Sequence, residues 1–334
     1  MTNPREFFFN SRKIAVVRTD KLGDMVLTLP MVKAIKELFP DKHISLIASS
    51  YTKVLIENCK YIDKTFFLED FSEGIKGIFM NERFDVIFFP RPKFNECLSA
   101  FITRQRLRIG SAYRWYSFLF NYKINLHRKI AEKHEAEYNV NMVESITGKQ
   151  LRTELVRPLI NEDFESKIEA LLKTYKLEEK KFIIIHPGSG GSAYEWNPEN
   201  FGRLAKTLNE HTGLKAVITG NDSDIQKCKT VSNIANSSIN LCSQLTLGEL
   251  MALINHSKLL IANSTGVIHI AAALGVKVLG LYPNSPHLSP KRWGPYSNDS
   301  ICITPESKDT NNQDDMNLID FNKVLEIALR LCSE

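Results

Sequence analysis

Three short loops and one carboxylate are the parts of this chain whose residue types and spacing could do chemistry. The first loop is Asn263-Ser264-Thr265-Gly266, between the apolar run Leu259-Leu260-Ile261-Ala262 and an alanine-rich stretch that holds His269 and ends at Gly275. A strand that stops at small polar residues and opens a helix presents free backbone N–H groups and the positive end of a helix dipole, which suits an anion such as phosphate. A plain capped β-α-β unit, with Ser or Thr as N-cap, fits the same residues. The second loop, His186-Pro187-Gly188-Ser189-Gly190-Gly191-Ser192, follows Phe182-Ile183-Ile184-Ile185. Its glycines would let backbone amides approach an anion closely, although it is neither a Walker loop nor a G-x-G-x-x-G fingerprint. The third, Gly220-Asn221-Asp222-Ser223-Asp224, carries carboxylates that could hold a ribose hydroxyl pair or simply be solvated.

The carboxylate is Asp24, in the loop Arg18-Thr19-Asp20-Lys21-Leu22-Gly23-Asp24 after the strand-like Ile14-Ala15-Val16-Val17. At a helix N-terminus its pKa is expected to be held low and the group ionised. It then reads either as a general base or as an N-cap aspartate.

Alternating apolar runs and helical periodicity must position these groups. Strands are expected at 14–17, 44–48, 66–68, 86–89, 182–185, 216–219, 259–262 and 276–281. A helix is expected over 24–39, with Pro30 either kinking it or marking its true start. Others are expected over 134–147, after Trp196-Asn197-Pro198, from the capping-box pattern Thr246-Leu247-x-Glu249, and over 317–331. Such alternation predicts parallel sheets with helices on both faces. Ligands of open α/β sheets bind at the carboxyl ends of strands, where all four features lie. Three anion-friendly strand ends in one half describe a nucleotide-diphosphate site, and the separate sheet with Asp24 describes an acceptor domain across a cleft.

The 334 residues predict two domains, divided near the Arg157-Pro158-Leu159 stretch into 1–160 and 161–334, with the last helix able to pack back on the first. Six scattered cysteines without a C-x-x-C pair suit free thiols rather than a disulfide framework or zinc site. No run of roughly 18 apolar residues suggests a membrane span, so a cytoplasmic protein is expected. Net charge is +5. Arg91, Lys93, Arg104, Arg106, Arg108 and Arg114, interleaved with Tyr113, Trp115 and Tyr116, form either a solvated basic face or a surface for a phosphate-bearing acceptor. No nucleic-acid motif is present.

In order and spacing, residues 13 to 300 resemble glycosyltransferase family 9, the ADP-heptose:lipopolysaccharide heptosyltransferases. The resemblance is carried by Gly23-Asp24 with its Leu-Pro helix, by His186-Pro187-Gly188 with Trp196, by Thr246-Leu247, and by Ser264-Thr265-Gly266 with His269 and Ala271-Ala272-Ala273-Leu274-Gly275. Lys291-Arg292-Trp293-Gly294-Pro295 looks like a tail motif of the same family. The resemblance implies a GT-B fold, two Rossmann-like α/β/α domains facing across a cleft, and inverting sugar transfer that needs neither metal nor cofactor. It implies Asp24 as general base. Ser189, Gly190, Ser264, Thr265, Gly266 and His269 would line the donor and its phosphates. Asp222 or Asp224 would meet the ribose, and Leu245, Thr246 and Leu247 the nucleobase. Arg18, Lys21, Arg91 and Arg114 would meet an anionic glycolipid acceptor, with peripheral contact at the inner membrane. Two positions depart from the family pattern. Tyr194, followed by Glu195, stands where a phosphate-contacting lysine is usual, and Ser264 stands where an aspartate is usual. Lys291 or Arg292 is expected to supply the missing cation. A nucleotide-sugar-binding protein with a different donor or without catalysis is the alternative.

Overall fold

The computed structural model describes residues 3–191, 193–306 and 312–333. Ser192 of the second loop lies outside them. The chain divides into two units, Met1–Leu159 and Ile160–Glu334.

Each unit is built on a six-stranded sheet. In the first, β1 (Lys13–Arg18), β2 (His43–Ala48), β3 (Lys64–Phe67), β4 (Val86–Phe88), β5 (Leu107–Ser111) and β6 (Tyr122–Ile124) run parallel in the order β3-β2-β1-β4-β5-β6. In the second, β7 (Phe182–His186), β8 (Lys215–Ile218), β9 (Ile239–Asn240), β10 (Leu259–Asn263), β11 (Lys277–Leu281) and β12 (Ser300–Ile303) run parallel in the order β12-β11-β10-β7-β8-β9. Both are the doubly wound Rossmann order. It reverses direction between β1 and β4 in one sheet and between β7 and β10 in the other, and a crevice opens at that point beyond the carboxyl ends.

The central strands are the uninterrupted apolar runs, buried on both faces as parallel strands must be. The short strands β5, β6, β9 and β12 were not expected. They carry Arg108, Lys123, Asn240 and Ser300 and lie toward the sheet edges, where one flank is less buried and the apolar signature fades. The strand expected at 66–68 begins earlier and gives way to a 3-10 turn, Leu68–Asp70.

The single helix expected over 24–39 is two, Leu22–Val26 and Leu29–Leu38. Pro30 sits in the first turn of the second, where its missing N–H breaks no intrahelical bond, so it marks a true start. Thr28 closes the joint, its hydroxyl donating to the Asp24 carbonyl at 2.8 Å. The helix Glu135–Thr147 has His134 as N-cap in a closed capping box and Gly148 as left-handed C-cap (φ 71°).

In the second unit Trp196 is fully buried. It meets Phe201 edge-on at 5.0 Å and stacks on Phe321 at 6.2 Å. Phe321 opens the last helix, Phe321–Ser333, whose Val324, Ala328, Leu331 and Cys332 complete this core. Burying an aromatic side chain of this size is worth roughly 2–3 kcal/mol, which fixes the loop leading into Trp196 against the sheet. Among the described residues no helix is long and apolar enough to cross a membrane.

Candidate functional site

In the first unit the loops after β1 and β4 flank the point where strand order reverses, and both carry charge into it. Asp24 lies in the first turn of Leu22–Val26, 7 % exposed, and the N-cap position belongs to Lys21. The reading of Asp24 as an N-cap is thereby corrected. Arg18, the last residue of β1, is 1 % exposed and bridges two carboxylates. Its Nη2 donates to Asp24 Oδ1, and its Nε lies 2.6 Å from Asp20 Oδ1. Arg91, from the loop after β4, donates to Asp20 Oδ2 at 2.6 Å and stands 3.8 Å from Asp24 Oδ2. Lys93 donates to the Thr19 hydroxyl at 2.8 Å and to the Thr19 carbonyl at 3.1 Å, and the Thr19 hydroxyl bonds Glu96.

Burial raises the Asp24 pKa above the usual 3.8, and the Asp20 and Glu135 charges push the same way against Arg18 and Arg91. The expectation of a pKa held low is therefore corrected. The helix has only five residues, too short a dipole to outweigh loss of hydration. The Tyr51 phenol, bonded to the Asp20 carbonyl, is pushed up to about 12 by burial and by the same two aspartates. A raised carboxylate is the better proton acceptor at neutral pH, because base strength rises with pKa.

In the second unit three strand ends converge. Asn263, the last residue of β10 and fully buried, accepts the Trp196 backbone N–H at 2.9 Å and donates through Nδ2 to the Pro187 carbonyl at 2.6 Å. One amide thus ties both ends of the 187–196 loop to the strand beside it. His186, at the end of β7, shares a 2.9 Å hydrogen bond with Thr219 after β8, and burial lowers its pKa to about 4, so the ring is neutral.

Ser189 is 2 % exposed. Its backbone N–H donates to Glu195 Oε1 at 2.8 Å, its hydroxyl lies 2.8 Å from the same oxygen and 3.0 Å from the Ala193 carbonyl, and Lys227, from the helix Ile225–Ile234, donates to Glu195 Oε1 at 2.7 Å. Lys227 is also 3.3 Å from Asp224 Oδ1. Burial pushes the Glu195 carboxyl up, but the hydrogen bonds from Lys227 and Ser189 outweigh it and hold the group below 4.5.

Thr265 is the N-cap of the helix Gly266–Ala273, yet its side chain makes no cap hydrogen bond. Thr246, by contrast, closes a full capping box with Glu249 on the helix Leu247–His256. The plain-cap reading thus holds for Thr246, whereas the Thr265 side chain covers no first-turn N–H of its helix. The Ser264 N–H is engaged by the Leu281 carbonyl at 3.0 Å, so it continues the sheet rather than pointing at a ligand.

The remaining expected residues scatter. Gly190 is exposed beside Ser189, with a left-handed φ of 57°. His269 is buried on the helix it was expected on. Asp222 is exposed. Asp224 is 1 % exposed and takes the Asn221 N–H at 3.3 Å, which corrects the picture of solvated loop carboxylates for this residue. Leu245 and Leu247 are half-buried beside the exposed Thr246. Lys21, Arg91 and Arg114 are exposed, whereas Arg18 stands behind the carboxylates rather than on an open surface. Within the basic cluster Arg106 pairs with Asp85 at 3.2 Å and Arg108 donates to the Leu119 carbonyl at 2.8 Å, both structural roles.

Sequence reasoning missed the work of Asn263, Glu195 and Lys227. The only local signal was the i,i+3 spacing of Asp224 and Lys227. Among the described residues no group of three or more His, Cys, Asp or Glu is placed to hold a metal ion.

The sequence model of glycosyltransferase family 9 (heptosyltransferase) matches residues 81–320. The chain is 24 % identical over 302 residues to lipopolysaccharide heptosyltransferase 3 of Escherichia coli, covering 84 % of this chain and 85 % of the relative. Its fold matches a glycosyl transferase family 9 structure from Veillonella parvula (TM-score 0.84, 20 % identity, 97 % of each chain). It also matches the E. coli ADP-heptose LPS heptosyltransferase II (TM-score 0.77, 20 % identity, 96 % of this chain and 98 % of that one).

Proposed function

The chain belongs to glycosyltransferase family 9, and from that premise we propose that it transfers heptose from ADP-heptose to an anionic lipopolysaccharide-core acceptor, with inversion and without a metal. The observation that carries this reading is the anion-ready set of strand ends in the second unit: the Ser189 N–H and the Lys227 ammonium turned to one anionic oxygen after β7, and a helix after β10 whose N-cap Thr265 makes no side-chain cap bond. Asp24 lies outside the stretch that matches the family, so its role rests on its own geometry: a buried carboxylate with a raised pKa at the reversal point of the first sheet.

In the reaction, Asp24 takes the proton from the acceptor hydroxyl as that oxygen bonds to the anomeric carbon. The bond from that carbon to the diphosphate breaks with its electron pair, and ADP leaves. One displacement inverts the centre. Arg18 and Arg91 hold Asp24 ionised without burying it against water completely. Backbone N–H groups at 189 and 265–266 stabilise the charge that develops on the leaving diphosphate. The exposed Asp222 is the carboxylate open to a ribose. Arg91, Arg114 and Lys21 face acceptor phosphates, and their exposure supports peripheral contact with the cytoplasmic face of the inner membrane.

A panel of nucleotide sugars read by thermal denaturation tests the donor. A ligand at a hundredfold its Kd stabilises the native state by about 2.7 kcal/mol. ADP-heptose should raise the melting temperature where UDP- and GDP-sugars do not. A shift with a UDP- or GDP-sugar alone would overturn the assignment of the base, and binding of ADP-heptose without transfer to any core acceptor would favour a donor-binding protein without catalysis.

A further inference from the structure

The loop that should receive the donor's phosphates already holds an anion, and the anion is the protein's own. Glu195 Oε1 accepts from the Ser189 N–H, the Ser189 hydroxyl and Lys227 Nζ, all within 2.8 Å, and Lys227 also reaches Glu195 Oε2 at 2.6 Å. An amide, a hydroxyl and an ammonium converging on one anionic oxygen is the donor set a phosphate oxygen would take. Gly190 and Gly191 follow with φ of 57° and 69°, the left-handed backbone that turns successive N–H groups to one side.

We propose that Lys227 is the cation that meets the donor's diphosphate, and that Glu195 keeps its place in the unliganded protein and is displaced when the donor binds. The proposal rests on the donor reading above and adds a residue to it.

Three features assign the moving and the fixed parts. Asp224 is fixed: its carboxylate takes the Asn221 N–H and packs so closely over Gly188 that a Cβ there would lie 2.2 Å away. Lys227 is tied to that fixed group at 3.3 Å, so it keeps its position when Glu195 leaves. Glu195 is the mobile partner. It sits on a stretch without helix or strand, after the exposed Tyr194, and its own side chain is a quarter open to solvent. Displacement exchanges one carboxylate charge for the two or more of a diphosphate and returns the carboxylate to water. The position two residues before Trp196, where a lysine would serve, is Tyr194. Lys227 reaches the same loop from a different element. The cation expected from Lys291 or Arg292 is not needed there, and Arg292 lies over the Trp293 ring at 4.7 Å.

Titration calorimetry with inorganic pyrophosphate and with ADP tests this on the full chain, using wild type, Glu195→Gln and Lys227→Met. Lys227→Met should weaken both ligands at least about tenfold, the loss of one charge-assisted hydrogen bond. Glu195→Gln should tighten both by about three- to tenfold, because the internal competitor has lost its charge. A gain cannot arise from misfolding, so the pair remains informative even if one variant is less stable. Equal ADP affinity in all three proteins would overturn the role of Lys227 and leave the donor reading standing. Weaker binding by Glu195→Gln would overturn the displacement. No binding of either ligand by wild type and Glu195→Gln alike would overturn the donor reading and this proposal together.

Discussion

Asp24 and Glu195 are both carboxylates beside cations at the carboxyl ends of parallel strands, and they are driven in opposite directions. Asp24 faces Arg18 and Arg91, yet its pKa rises, because it is 7 % exposed and shares its cations with Asp20. Glu195 faces Lys227, and its pKa falls, because hydrogen bonds from Lys227 and Ser189 outweigh its burial. The number of nearby positive charges does not decide the outcome. Burial pushes both carboxyls up, and the partners decide the sign: at Glu195 the hydrogen bonds from Lys227 and Ser189 outweigh burial, whereas at Asp24 burial, joined by the Asp20 and Glu135 charges, outweighs Arg18 and Arg91. The first environment suits a base, and the second suits a counter-ion that another anion can replace.

The comparison predicts a large functional effect on one side and a modest one on the other. Asp24→Asn keeps the shape and most hydrogen bonds of the site but cannot accept the proton. Transfer should fall by about 10²–10⁴-fold while ADP affinity stays unchanged. Loss of ADP affinity in that variant would show that Asp24 supports the donor site instead.

Arg18→Met leaves the buried Asp24 and its neighbour Asp20 with only the half-exposed Arg91 as a cation and should destabilise the protein by about 3 kcal/mol. Lys227→Met removes a cation whose side chain is 30 % exposed, and its stability cost should stay near or below about 1 kcal/mol. Denaturant melts of the two variants check the contrast. Equal costs would mean that burial does not separate the two sites.

Stability against pH carries the same contrast with opposite signs. The folded pKa of Asp24 lies above the usual 3.8, so its contribution is most favourable below that value and is lost as pH rises through the folded pKa. The folded pKa of Glu195 lies below 4.5, so its contribution is present above 4.5 and is lost as pH falls through the folded pKa. Asp24→Asn should therefore remove the contribution that wild type loses as pH rises, and Glu195→Gln the contribution that it loses as pH falls. Denaturant melts of both variants across the acid range check the two signs.

The smallest effect concerns the two threonine caps. Thr246→Ala breaks a closed capping box and should cost about 1 kcal/mol. Thr265→Ala breaks no cap bond, so it should leave the melting temperature nearly unchanged and lower donor affinity instead. The two melts and one titration separate a structural cap from a ligand-facing one.

How much of this was legible in the sequence follows from range. Local features read well. The central strands, the capping box at Thr246, Gly148 at a helix end and Pro30 as a helix start are each set by a few neighbouring residues. The resemblance to family 9 also stood on local motifs in order. Two kinds of feature did not read. Edge strands such as β9, two residues long, carry too little apolar pattern to register. Properties made by distant residues were invisible. Glu195 and Lys227 are 32 positions apart and Asn263 meets Trp196 across 67, so the sequence could show a missing lysine at 194 but not the lysine that reaches the same loop. The direction of the Asp24 shift was misread for the same reason. A helix N-terminus is visible in sequence, whereas the burial that overrules it comes from residues on other elements.

The most direct test of the central claim is a single-turnover assay with ADP-heptose and a truncated lipopolysaccharide core, comparing wild type with Asp24→Asn at donor concentrations that saturate both. The account predicts stoichiometric transfer with ADP release by wild type, and donor occupancy without transfer in the variant. Transfer by Asp24→Asn at a rate within a few-fold of wild type would contradict it.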